Sequence, residues 1–220
     1  MTTEYTASRT SLRTATVMVL FALGFTALMA SMYGLTRPVI EASAQAARMS
    51  LVGEVLPASA YDNALLDDAV RLGLTPELGL PQGGLVYRAR RNGQPAALVF
   101  EAGSNEGYAG RIDLVVAVLA DGKTSGVRVV QHKETPGLGD YIDQRKDKNR
   151  SHPWITTFNG LSYAEVGAKG WRVRKDGGQF DSHTGATISA RAVTNAVARV
   201  LDFEAAHRQR LYAAPPGSPL

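Results

Sequence analysis

Hydrophobic and polar residues fall into three regimes along the chain. Between Arg13 and Arg37 lie 23 residues without a charge, "TATVMVLFALGFTALMASMYGLT". A bilayer core about 30 Å thick is crossed by about 20 apolar helical residues. The run therefore predicts a transmembrane helix over 14–36, preceded by a short tail, 1–13. Ala42-Ser43-Ala44 has the small side chains of a signal-peptidase site. Secretory apolar cores run only about 7–15 residues, so length favours an uncleaved anchor. From Pro38 to Leu56 the residues favour helix, which predicts a helical stalk and linker over 37–80. Beyond that the pattern changes to strand-length runs. Leu85–Arg91 and Pro95–Glu101 read as strands joined at Asn92-Gly93, a pair that tolerates positive φ. Ile112–Leu119 and Gly126–Gln131 read as two more, with a turn at Asp121-Gly122. From Ser189 onward Val193, Val197, Val200 and Leu201 recur at helical spacing. Together these predict an α+β domain over 81–205, a mostly antiparallel sheet packed by helices. The proline-rich end "AAPPGSPL" reads as part of a flexible tail, 206–220.

Composition narrows the function classes. The hydrophobic share of 45% supports a packed core. The net charge of +4 is scattered; the densest basic stretch, "DQRKDKNR" (Asp143–Arg150), is diluted by acids and reads as a solvated loop or helix end. A nucleic-acid binder would concentrate its bases on one stripe, so no nucleic-acid partner is expected. No cysteine is present, which excludes disulfides and cysteine-ligated iron–sulfur clusters within this chain. The four histidines lack metal-ligand spacing, and no GxGxxG dinucleotide fingerprint occurs, so neither a metal nor bound NAD is expected. Orientation in the membrane stays open: Arg9 and Arg13 precede the apolar run, Arg37 and Arg48 follow it.

Two short stretches combine small residues with hydrogen-bonding groups. "DSHTGATIS" (Asp181–Ser189) leads into the last helix. A helix N-terminus carries unpaired N–H groups and about half a positive charge, which suits a phosphate. An ordinary cap by Thr187 or Ser189 accounts for the same residues. "HKETPGLGD" (His132–Asp140) leaves a strand and turns at Pro136-Gly137, with Gly137 at the positive-φ position of a type II turn. Such a loop exposes backbone amides suited to the edge of a flat heteroaromatic ring, although a plain strand-to-helix turn would look alike.

"ETPGLGD", "KDGGQFDSHTGATISARAVTNAV" (Lys175–Val197) and "GYAGRIDLVVAV" (Gly107–Val118), behind a single N-terminal anchor, resemble the G component of the Rnf ion-translocating electron-transport complex. The likeness runs in order from the anchor to about Val200. The family's flavinylation signature is matched without departure by Asp181, Ser182, His183, Thr184, Gly185, Ala186 and Thr187. The resemblance implies one FMN joined through its phosphate to Thr187. It further implies cofactor contacts from Asp181, Thr184, Gly185, Ala186, Ser189, Glu134, Thr135, Gly137, Leu138, Gly139 and Lys175, with no catalytic residue. It also implies maturation by a flavin transferase, a single-pass protein of the bacterial inner membrane with its FMN domain on the periplasmic side, and other subunits of the complex as partners. The expected role is an electron relay in a complex that couples ferredoxin/NAD electron transfer to ion translocation. Alternatives are the C component of the sodium-pumping quinone reductase, which carries the same signature, a stand-alone extracytoplasmic flavoprotein reductase, and an anchored domain without cofactor.

Overall fold

The computed structural model describes residues 7–220; of the tail expected over 1–13, residues 1–6 lie outside the described residues. The chain divides into two compact units, residues 1–47 and 48–220. The described residues of the first, 7–47, are helical, part of α1 (Ala7–Val55), and contain the predicted 14–36 run. Its Leu20, Phe21, Phe25 and Leu28 are exposed, and the helix is long and apolar enough to cross a membrane. The helix does not stop near Pro38, which stands inside it.

The second unit is built on a five-stranded antiparallel sheet in sequential order: β1 (Ala69–Leu72), β2 (Gly84–Arg91), β3 (Gln94–Gly107), β4 (Gly110–Leu119) and β5 (Thr124–Gln131). The two turn signals lie where the sequence puts them. Asn92 and Gly93 take φ of 51° and 75°, and Gly122 takes 86°. Strand alternation sorts the side chains between two cores. Leu98, Phe100, Leu114, Val116 and Val118 face the last helix, α3 (Thr187–Ala213), where Val193, Val197, Val200 and Leu201 are buried; the short α2 (Tyr163–Gly170) lies between sheet and α3 in sequence. Ala97, Val99, Val115 and Ala117 share the other core with Val52, Val55, Leu56 and Leu65. Each of the buried valine, leucine and phenylalanine side chains contributes about 1.5–3 kcal/mol of transfer free energy, which is why the period-2 pattern fixes the register.

The structure departs from the sequence expectations in three places. The segment assigned to stalk and linker, 37–80, contains β1, whose Ala69 pairs with Tyr87 at one end and Leu72 with Gly84 at the other. The segment expected as a flexible tail, 206–220, is helical to Ala213 and then returns to the sheet. There Gly217 N–H donates to the Ala69 carbonyl (2.7 Å), Arg71 N–H to Ser218 (3.0 Å) and Leu220 N–H to Arg71 (2.9 Å). The prolines that argued for disorder leave these donors free while β1 offers an unpaired edge. Finally, the loop at 143–150 is solvated only on its basic side. Asp143 and Asp147 are buried, and Asp147 accepts from the Trp154 (2.6 Å) and Asn149 (2.9 Å) amides.

Candidate functional site

Three segments close around a cleft of about 310 Å³: the β3–β4 turn, the loop after β5 and the start of α3. Its walls are Tyr108; Glu134, Thr135, Leu138 and Gly139; and Gly185, Ala186, Ile188 and Ser189. The two glycine-rich stretches, far apart in sequence, therefore meet across one space.

The loop after β5 is shaped by a type II turn. Gly137 has φ 77°, and the Thr135 carbonyl accepts from Leu138 and Gly139, both at 3.1 Å. Gly137 N–H donates to Asp140 Oδ1 at 2.8 Å, so it is tied into the loop and does not line the cleft. At the loop's start Glu134 N–H donates to His132 Nδ1 (3.1 Å). Burial, with Lys146 nearby, holds the His132 pKa below its ordinary value.

Glu134 is only 4% exposed. Its Oε1 accepts from Ala109 N–H at 3.0 Å, in the β3–β4 turn, and its Oε2 accepts from Ser189 Oγ in the first turn of α3. One carboxylate thus joins all three walls. The fit at Gly139 is equally close: a Cβ there would stand 2.5 Å from Ser189 Oγ and 2.9 Å from Glu134 Oε2, so only glycine lets the loop reach the helix.

The helix entrance is not capped in the ordinary way. The N-cap position is Ala186, no side chain accepts from the first turn, and no acidic residue stands there. Neither Thr187 nor Ser189 is the cap; Ser189 is spent on Glu134. The unpaired N–H groups at this end keep their positive potential beside the cleft. Gly185 precedes them with φ 84°, and no atom lies within 4 Å of where its Cβ would be. Thr187 is half-buried at the first helical position; its Oγ1 accepts from Ser182 Oγ at 3.3 Å. It lies between lining residues on both sides without lining the cleft itself.

Of the remaining expected residues, Thr184 is exposed on the turn before the helix. The Asp181 carboxylate pairs with Arg174 (3.1 Å), and its carbonyl accepts from Trp154 Nε1 (2.7 Å). Lys175 is exposed on the short turn Arg174–Asp176 and does not reach the cleft wall. His183 stacks on Tyr141 at 3.8 Å between ring centres, and its backbone N–H donates to the Tyr141 hydroxyl at 3.2 Å. Burial raises the pKa of that tyrosine.

Sequence reasoning missed two wall side chains, Tyr108 and Ile188. With Leu138 they form an exposed apolar rim, 71%, 42% and 52% accessible respectively. An aromatic residue inside the tight turn Gly107–Gly110 was the available signal for Tyr108.

An FMN fits this donor set. Apolar rim residues suit a flat ring, uncapped amides suit a phosphate, and the cleft lies at the lower end of cofactor-pocket volumes, about 300–1,000 Å³.

Comparisons with known proteins point to the same cofactor. Residues 107–202 match the family of FMN-binding domains, and residues 1–55 match the RnfG N-terminal region. The G component of the ion-translocating oxidoreductase complex of Pseudomonas aeruginosa is 42% identical over 205 residues, 93% of this chain and 94% of that one. The protein of the same name from Pseudoalteromonas atlantica is 40% identical over 198 residues, 90% of each chain. That of Vibrio cholerae is 39% identical over 199 residues, 90% of this chain and 92% of its own.

Proposed function

The chain belongs to the RnfG family, the G components of ion-translocating oxidoreductase complexes, and from that premise we propose that it is a membrane-anchored electron relay with one FMN esterified to Thr187. The observation that carries the reading is the uncapped N-terminus of α3 opening on a cleft, with Thr187, which completes the flavinylation signature, between two residues of its wall. When bound, FMN supplies reversible electron transfer; the protein's part is to hold, orient and tune it.

Each group in the cleft then has a role. The free N–H groups of the first turn, those of Ile188 and Ser189 among them, would offset the single negative charge of a phosphodiester. Gly185 leaves room for the phosphate beside the backbone, and Leu138, Tyr108 and Ile188 offer an apolar seat for the ring. Lys175, a candidate phosphate partner in the sequence, is exposed away from the wall, so the helix end carries that role. Asp181, paired with Arg174, orients the attachment loop.

The remaining parts of the proposal rest on the family. Other members of the complex donate and accept the electrons, a flavin transferase attaches the FMN, and the domain faces the periplasm. The complex couples electron transfer between ferredoxin and NAD to ion translocation. The test is peptide mass spectrometry on protein made with and without the transferase. The peptide containing Thr187 gains one FMN less one water only when the transferase is present, and Thr187→Ala protein shows no fluorescent band on a denaturing gel. Unmodified peptide from correctly exported protein overturns the assignment.

A further inference from the structure

The cleft holds one carboxylate with no matching cation. Among the described residues no lysine or arginine lines the wall, and the carboxylate belongs to Glu134, which is 4% exposed. Each of its oxygens is engaged: Oε1 accepts from a backbone N–H, which can only donate, and Oε2 accepts from the Ser189 hydroxyl. Both oxygens are therefore engaged, by two different elements, at a buried position. Close packing fixes its place further, because a Cβ on Gly107 or Gly139 would stand 2.9 Å from its oxygens. A latch between loop and helix could be built from neutral partners. A buried anion at this position does something a neutral latch would not.

Resting on the reading of the cleft as the flavin site, we infer that Glu134 is a positioning residue that also sets the redox potential of that site. Reduction of a bound flavin by two electrons from the reductant and one proton from water would add one net negative charge to the ring system. A fixed, buried carboxylate in the same wall opposes that charge and stabilises the oxidised form. Glu134 thereby holds the bound flavin at a lower potential than the helix N-terminus alone would give, since that end attracts negative charge.

The experiment is spectroelectrochemical titration of the full-length protein, loaded with FMN by the transferase, with dithionite as reductant. Glu134→Gln keeps the shape and the hydrogen-bonding reach of the side chain but removes the charge. At the wild-type midpoint it should raise the reduced-to-oxidised ratio about tenfold, a positive shift of about 30 mV for a two-electron couple. Ser189→Ala breaks the same latch while keeping the charge, and should move the ratio by less than about a third of that on a logarithmic scale. A Glu134→Gln protein that retains FMN at an unchanged midpoint overturns the inference. Equal shifts in the two variants also overturn it, because a purely structural latch would produce them. Should Glu134→Gln not fold, Leu138→Glu and Leu138→Gln on the same wall provide the comparison. The glutamate must then titrate below the glutamine, and coincident midpoints sink the idea. Protein that never becomes yellow fails the flavin reading instead, which keeps the two failures apart.

Discussion

Replacing Arg88 with methionine should unfold the domain at a markedly lower temperature, although the residue is far in sequence from the cofactor loops. Arg88 lies on β2 and is 1% exposed. Its Nε donates to Asp68 Oδ1 at 2.8 Å and its Nη2 to the same oxygen. Its Nη1 reaches the last carbonyls of α3: Leu211 at 3.0 Å, Tyr212 at 3.3 Å, and Ala214 just beyond. One guanidinium thus caps the helix that begins at Thr187. Methionine keeps the apolar stem and loses every donor. Arg90 still holds the Tyr212 carbonyl (3.0 Å), so two carbonyls lose their partner at about 1 kcal/mol each. Asp68 loses charge-assisted bonds worth about 1.5–3 kcal/mol each, discounted because Arg90 still pairs with it at 2.9 Å and it keeps some solvent. The net loss is about 3–5 kcal/mol. For a chain of this size each kcal/mol moves the midpoint about 2–4 °C, so Tm should fall by about 6–20 °C. Tryptophan fluorescence of the full chain in detergent reports it, since Trp154 and Trp171 both lie in the domain. The exposed neighbour Arg91→Met is the control. A fall of less than about 2 °C for Arg88→Met would refute the reasoning.

Three further outcomes follow from the geometry. Gly139→Ala places a methyl 2.5 Å from Ser189 Oγ and should cost about 1–3 kcal/mol while reducing FMN incorporation, read by melting and by the flavin-to-protein absorbance ratio. His132 has its folded pKa held below the ordinary 6.5 by burial, so the unfolded chain binds more protons in the window between the two values. Its contribution is therefore complete above pH 6.5 and is lost as pH falls through the lowered value; His132→Gln should flatten the Tm–pH curve just below pH 6.5. Ending the chain after Ala214 removes three backbone hydrogen bonds to β1 and should lower stability by about 2–4 kcal/mol, measured by denaturant titration against the full chain.

The parts of the fold that were legible are those set by neighbours in sequence. Asn92-Gly93 and Asp121-Gly122 specify their turns through local φ, and Val193, Val197, Val200 and Leu201 specify a buried helical face through spacing alone. β1 was hidden because four residues carry little periodicity, and what pairs with their outer edge comes from the far end of the chain. The site divides the same way. Gly137 was readable as a positive-φ turn and takes that conformation. The link between Glu134 and Ser189 spans 55 residues, and no local rule indicates that the serine of a hydroxyl-rich helix start bonds a distant carboxylate instead of its own backbone. Tyr108 was hidden for a different reason: an exposed aromatic in a turn acquires meaning only when the opposite wall is known.

Two of the buried charged residues, Arg88 and Glu134, have a common consequence. Arg88 fixes the C-terminal end of α3 to β2, and Glu134 fixes its N-terminal turn to the β3–β4 turn and the loop after β5. Between these clamps the helix buries its apolar face on the sheet, so neither sliding along its axis nor rotation about it is free. A tether at the first helical residue would otherwise leave a ring system at the end of a flexible ester arm, with its distance to any electron donor poorly defined. Fixing both ends of the helix fixes the origin of that arm, and Gly139 brings the loop close enough to bound its swing. Under the proposed attachment at Thr187, a variant that loosens either clamp while leaving that residue in place should therefore keep its flavin through denaturation and lose ring order. The expected readout is a fall in flavin fluorescence anisotropy at unchanged flavin content, with the Arg88 and Ser189 variants moving in the same direction. Unchanged anisotropy in both would show that the arm is ordered by the cleft walls alone.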